Sequence, residues 1–308
     1  MKSGYVAIIG RPNAGKSTLI NKILGEKLAA VTDKPQTTRS RFLGIYSTDD
    51  CQIIFLDTPG VHESEKKLNQ YMMEEVGAAV QDADVVLLLF DGTRKDEFFE
   101  KFVNELIAKN PAKKVLSVVN KMDLPPFEKG GPGGIFPISA LRGTGVPELL
   151  TQIYELLSEG PAYYPTDELT DKPLRDIAAE IIREKAMELT FQEIPYSLAV
   201  EILSFKEEPK ITRIEASLIV ESESQKGMVI GKGGKLIKQI GSESIKDIKR
   251  LLGGLASPPP LAKPMEPPPQ RPFGPCYVKV LLKLKVKVDK NWTKNPARLA
   301  AYGYRKKS

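Results

Sequence analysis

Apolar residues dominate short strand-like runs at 5–9, 52–56, 85–90 and 115–119. Each run ends at glycine, asparagine or aspartate and leads, directly or through a polar loop, into a stretch with helical spacing. Such runs suit strands covered on both faces. Their alternation with helices predicts an α/β unit with a largely parallel sheet, whose ligands lie at the carboxyl ends of the strands. Past residue 172 the pattern changes. Residues 175–189 have helical apolar spacing, 197–205 and 212–220 read as strands, and 225–252 as two helices broken at "GKGG". Residues 278–288, "VKVLLKLKVKV", alternate valine and leucine with lysine, so one strand face packs and the other is a lysine row. The order α-β-β-α-α-β predicts a second unit of α+β type.

At 308 residues the chain has room for about two domains of roughly 100–200 residues each. The boundaries are expected at 1–165 for the first, 166–172 for a linker and 173–308 for the second. Residues 253–275, with nine prolines, forbid a helix or central strand and are expected to form a disordered insertion of extended character. "PPFEKGGPGGIF", 125–136, reads as a loose loop.

Composition narrows the class of protein. Hydrophobic residues at 41% and charged residues at 27% are those of a soluble globular chain. No signal-like segment opens it, and its densest apolar run is too short to span a bilayer, so a cytoplasmic protein is expected. Two distant cysteines, Cys51 and Cys276, and a single histidine, His62, supply neither a disulfide framework nor a zinc cluster. The net charge of +6 is unevenly spread: −2 over residues 1–160, −7 over 161–225 and +15 over 226–308. A basic block of that size points to nucleic acid, with an anionic membrane surface or a merely solvated face as rivals.

Four motifs carry the chemistry. "GRPNAGKS", 10–17, fits GxxxxGK[ST]: Gly10, Asn13, Ala14 and Gly15 let backbone N–H groups curl around phosphates, Lys16 reaches the terminal phosphates, Ser17 binds Mg²⁺, and Thr18 continues into the helix. "DTPG" follows the second run, with Asp57 holding Mg²⁺ through water, Gly60 presenting its N–H to a γ-phosphate, and Thr58 and Pro59 between them. "NKMD" follows the fourth run. There Asp123 accepts two hydrogen bonds from guanine, a donor pair that adenine lacks, so a site built on them rejects ATP. Asn120 ties this loop to the first, and the Lys121 stem covers the base. "SAL", comprising Ser139, Ala140 and Leu141, offers a backbone N–H to the guanine oxygen.

These motifs, with "KPQTTRSR", "SALRGTG", "YYPTDELTDKPLRDIAAEIIREK" and "IPYSLAVEI", resemble the Era family of bacterial GTPases over nearly the whole chain. The resemblance implies a P-loop, Ras-like GTPase domain followed by a KH domain, acting in maturation of the small ribosomal subunit, with the 3′ end region of its rRNA as partner and the chain a monomer. It also implies GTP and GDP with Mg²⁺ as cofactors, and a first switch over residues 30–41 in which Thr37 or, preferably, Thr38 joins Ser17 and Asp57 at the metal. Lys16, Thr38, Asp57 and Gly60 are then the catalytic set. Val61 stands where Ras-type enzymes carry a water-orienting glutamine, so intrinsic hydrolysis should be slow. Asn13 resembles the asparagine that holds K⁺ in related GTPases. The insertion at 253–275 departs from the family.

The second unit reads as a type 2 KH domain, whose GxxG turn clamps the backbone of unpaired nucleotides. Ile230, Gly231, Lys232, Gly233, Gly234, Lys235 and Lys238 are the candidate RNA contacts, with bases resting near Ile230, Ile237 and Ile240. Trp292 either stacks a base or packs on the sheet. Two other functions are open: a regulatory GTPase peripheral on the inner face of the cell membrane, and an RNA-binding module in which GTP is structural.

Overall fold

A computed structural model describes residues 1–308 except 33, 35–37, 39–40, 63–66, 125–135, 192, 254–278 and 305–308. Thr37, Cys276, Val278, almost all of the proline-rich stretch and almost all of the loose loop therefore lie outside the described residues.

Among the described residues the first half has six strands: β1 (Lys2–Gly10), β2 (Phe42–Ser47), β3 (Cys51–Asp57), β4 (Val85–Asp91), β5 (Lys114–Asn120) and β6 (Phe136–Pro137). They lie in the order β2-β3-β1-β4-β5-β6, all parallel except β2. The apolar runs are continuous because both faces are covered. Val6, Ile8, Phe55 and Leu87 pack with residues of α1 (Lys16–Leu24) and α4 (Val146–Leu156). The alternate residues Ala7, Ile9, Leu56 and Leu88 pack with residues of α2 (Lys67–Asp82) and α3 (Glu97–Lys109). Asp96 starts α3 as its N-cap, accepting the N–H of Phe99 at 3.0 Å. The chain crosses from one face to the other at β1, so the loop after β1 opens into the crevice where strand order reverses.

The second half follows the expected order with one addition. Helix α5 (Leu174–Leu189) precedes β7 (Ala199–Glu208) and β8 (Ile211–Val220); α6 (Glu223–Ile230) and α7 (Lys235–Gly253) follow, then β9 (Lys279–Val288) and a short α8 (Pro296–Ala301). The sheet order is β7-β8-β9, with β7 antiparallel and β9 parallel to β8. Ile240, Ser244, Ile248 and Leu251 form the buried stripe of α7 at helical spacing. On β9 buried and half-buried residues alternate with exposed ones, which are lysines at every position but Leu281.

Trp292 does not stack a base. It is fully buried, its indole N–H donates to the carbonyl of Ser197 at 2.9 Å, and it contacts the rings of Tyr302 and Tyr304. The same cluster includes Met72 of α2, so the C-terminal turn packs against both halves. Gln52 on β3 fastens the connecting segment: its side-chain oxygen accepts the N–H groups of Tyr163 and Tyr164 at 2.7 and 2.9 Å. Cys51 is a buried free thiol, and burial pushes it up to about 11.

Candidate guanine-nucleotide and RNA sites

The loop after β1 wraps the N-terminus of α1. Gly15 has φ of +95°, and a Cβ there would lie 2.2 Å from the side-chain nitrogen of Asn120, so this position requires glycine. Asn13 is also left-handed and exposed at the loop tip. Lys16 is 6% exposed, and its ammonium donates to the carbonyls of Gly10 and Arg11 at 3.1 and 3.0 Å. Burial pushes it down to about 8, against the pull of Asp57. Gly60 packs against Pro12 of the loop, and the N–H of Val61 donates to the Gly10 carbonyl at 3.0 Å.

Three side-chain oxygens converge beside Lys16. Ser17 donates to Asp57 Oδ2 at 2.7 Å, lies 3.0 Å from the Thr38 hydroxyl, and Thr38 reaches the same carboxylate oxygen at 3.4 Å. Asp57 is fully buried, and among the described residues its Oδ1 has no hydrogen-bond partner. Burial raises the Asp57 pKa, opposed by the charge of Lys16 and the hydroxyls of Ser17 and Thr38. An orphaned buried carboxylate oxygen among hydroxyls is a donor set for a small hard cation, and Mg²⁺ fits it. The Thr58 hydroxyl donates to the carbonyl of Ile8 at 2.7 Å, so its side chain fastens the end of β3 to β1 and leaves its backbone as the part that faces the loop. Pro59, beside it, is buried, and Thr18 lines the same pocket as Lys16, Ser17, Val31 and Thr38.

The base-reading end is held by a chain of side-chain contacts. Asn120 donates to the carbonyl of Ala14 and accepts the N–H of Ala140, each at 2.8 Å, joining three motifs through one amide. Ala140's N–H is thereby engaged by Asn120. Ser139 donates to Asp123 Oδ1 at 2.6 Å, and this bond foremost holds the Asp123 carboxyl below its usual range. Sequence reasoning misses this role for Ser139. It also misses Asp91, whose carboxylate holds the Lys121 ammonium at 2.8 Å while Lys121 takes a left-handed φ of 68°. A signal for Asp91 exists: it ends the strand beside β5, in register with Asn120. Leu141 is exposed at the rim.

In the second half of the chain the GxxG turn separates α6 from α7. Gly231, Gly233 and Gly234 all have positive φ, and a Cβ on Gly231 would meet that of Leu236 at 2.7 Å. Lys232, Lys235 and Lys238 are exposed around the N-terminus of α7, where helix polarity favours anions. Ile230 and Ile237 are half-buried, whereas Ile240 is fully buried and belongs to the core, not to a base-binding floor. Two lysines of β9 face carboxylates across the sheet, Lys283 with Glu215 at 3.5 Å and Lys287 with Glu201 at 3.9 Å, which halves the free charge of that row.

A phosphate loop, an oxygen cluster fit for Mg²⁺ and a carboxylate poised for guanine define a P-loop GTPase class of protein, here joined to a KH-type fold. Comparison with known proteins agrees: residues 5–121 match the family described as 50S ribosome-binding GTPase, and residues 193–293 match the KH domain. GTPase Era of Geotalea uraniireducens is 41% identical, over 98% of this chain and 98% of its own, and GTPase Era of Leuconostoc citreum is 40% identical, over 98% and 96%. The crystal structure of a point variant of Aquifex aeolicus Era bound to GDP·AlF4⁻ superposes with a TM-score of 0.85 at 36% identity, covering 99% of both chains. A crystal structure of Era with MgGDPNP and nucleotides 1506–1542 of 16S ribosomal RNA superposes at 0.84, also at 36% identity and 99% coverage of each. The chain belongs to the Era family of GTPases.

Proposed function

We propose that this GTPase binds the 3′ end region of small-subunit ribosomal RNA through its GxxG turn, under control of bound nucleotide, and assists biogenesis of the small ribosomal subunit. One observation carries the reading: a single chain presents both the Asp57–Ser17–Thr38 oxygen cluster beside Lys16 and an exposed, lysine-flanked GxxG turn. The relative crystallised with MgGDPNP and 16S nucleotides 1506–1542 supports that partner. We divide the chain at 1–165 and 173–308, with 166–172 as the linker between catalytic and RNA-binding parts.

In this reading Ser17, Thr38 and Asp57 hold Mg²⁺, which supplies neutralising charge to the phosphates. Lys16 pairs with the terminal phosphates, and the N–H of Gly60 meets the γ-phosphate. Asp123, aimed by Ser139, selects guanine. Val61 carries no group able to orient water, so turnover without a partner is slow. Asn13 at the loop tip is assigned to K⁺.

The test uses the full chain with GTP and Mg²⁺ and a single-stranded RNA from the 3′ end of the small-subunit rRNA. Lys16→Ala should abolish hydrolysis, and Gly233→Asp should abolish RNA binding while leaving GTP turnover intact. RNA binding that survives Gly233→Asp contradicts the assignment. Vesicle flotation at physiological salt separates this reading from attachment of the basic C-terminal third to an anionic membrane; the chain is expected to stay in the unbound fraction.

A further inference from the structure

Ala30, Val31 and Thr32 line the same pocket as the phosphate loop and form part of its wall. The segment carrying it is held from two sides. From α1, Asn21 accepts the N–H groups of Leu28 and Ala29 at 3.0 and 2.9 Å and donates to the Ala29 carbonyl at 2.8 Å. From α5, in the other half of the molecule, Glu184 Oε2 accepts the N–H of Val31 at 3.0 Å. Glu184 is fully buried. A buried carboxylate is costly unless both oxygens are satisfied, and the second oxygen receives Lys27 of the same segment and Lys185 at 3.1 Å.

The contacts continue past Glu184. Lys27 also donates to Asp247 on α7 at 2.9 Å, and Lys185 lies 3.3 Å from that carboxylate, closing a ring of two cations and two anions. Asp247 sits twelve positions after Lys235, the first residue of α7, or about 18 Å along a helix rising 1.5 Å per residue. The helix that begins at the GxxG turn is thus tied, through Lys27 and Glu184, to the backbone of the nucleotide pocket. Lys34, further along the first switch, donates to the Glu188 carbonyl at 3.2 Å and to those of Met187 and Thr190, closing the end of α5.

We propose that Glu184 is a positioning residue of the GTP site contributed by the RNA-binding half, and that the Lys27–Glu184–Lys185–Asp247 ring couples the pocket wall to the GxxG helix. The proposal rests on the reading of the two sites given above. Glu184 is not among the described residues that line the pocket; it sets where Val31 stands. A shift of that wall between nucleotide states strains the ring, and by linkage RNA on the GxxG turn must act back on nucleotide affinity by the same factor.

The experiment follows release of a fluorescent GDP analogue from the full chain, alone and with saturating 3′-end RNA, in wild type, Glu184→Gln and Asp247→Asn, with thermal midpoints recorded for each. Glu184→Gln should speed release by at least about fivefold, the lower end of ordinary coupling between sites. The ratio of RNA affinities with GDP and with a non-hydrolysable GTP analogue should collapse to within about twofold of one in both variants, where wild type exceeds it. A merely structural role would lower the thermal midpoint and leave that ratio unchanged. Wild-type release from a folded Glu184→Gln overturns the positioning role, and an unchanged ratio in Asp247→Asn overturns the coupling. If Glu184→Gln does not fold, Lys27→Met breaks the same link from its solvent side and decides both by the same criteria. If RNA leaves wild-type GDP release untouched, the coupled-switch reading fails, and so does the ring's role, whereas the release rate of Glu184→Gln still decides whether Glu184 positions the wall.

Discussion

In the proposed site, guanine selection rests on one carboxylate, Asp123, and the Ser139 hydroxyl that aims it. Asp123→Asn removes two charge-assisted hydrogen bonds, each worth about 1.5–3 kcal/mol, so GTP affinity should fall by at least about 100-fold. Ser139→Ala keeps the carboxylate but frees it to rotate, and a loss of about tenfold is expected, the value of one such bond. Both are read by competition against a fluorescent guanine nucleotide; a Ser139→Ala chain with wild-type affinity would contradict the aiming role. At the opposite end of the site, the K⁺ assignment to Asn13 requires faster GTP turnover in KCl than in NaCl at equal ionic strength, and requires Asn13→Ala to erase the difference. Equal turnover of the wild type in both salts removes it. The two ends differ in how far the bare chain reveals them. The convergence of Ser17 and Asp57 beside Lys16 is legible because the three lie on one short loop and one strand end. Ser139's bond to Asp123 is not, because its two partners meet only once β5 and β6 lie side by side. The Thr58 hydroxyl's bond to β1 is hidden for a related reason: its partner, the Ile8 carbonyl, lies 50 positions away.

At the scale of elements, periodicity tells where strands and helices lie but not what their apolar faces meet. Ile240 and Trp292 fit either a groove or a core, and both are core. Trp292→Ala should therefore cost about 3–5 kcal/mol in urea unfolding, as expected for deleting a buried aromatic, with RNA affinity of the folded fraction unchanged. The contact of α7 with the first half makes a second prediction. Burial pushes the Asp247 pKa up, but the hydrogen bonds and charges of Lys27 and Lys185 outweigh it, so the carboxyl titrates below its usual range. A depressed acid stabilises the fold above its unfolded value, about 3.9, and that contribution fades as pH falls through the folded value. The thermal midpoint of Asp247→Asn should lie below wild type at pH 7, and the gap should close below about pH 4. A gap independent of pH would mean that Asp247 acts by packing and not by charge.

Across the whole molecule, the order α-β-β-α-α-β and the parallel sheet before it are plain from pattern alone, because each rests on neighbours in sequence. How the halves meet is not. Lys27 and Asp247 are 220 positions apart, and no local pattern marks either as a contact. Nor does the uneven charge reveal that Glu215 and Glu201 answer two of the lysines on β9, leaving the GxxG turn as the more open cationic feature. The account as a whole stands on one coupling: nucleotide at the Lys16 loop must change what the turn at Gly231–Gly234 holds, through contacts that cross between the halves. The measurement that tests it most directly is the affinity for a single-stranded RNA from the small-subunit rRNA 3′ end, with GDP and then with a non-hydrolysable GTP analogue. Salt must be fixed, because phosphate contacts alone move affinity by orders of magnitude. Tighter binding with the analogue, lost in Gly233→Asp, is the result predicted; equal affinity in the two nucleotide states would contradict the switch and leave two sites working independently on one chain.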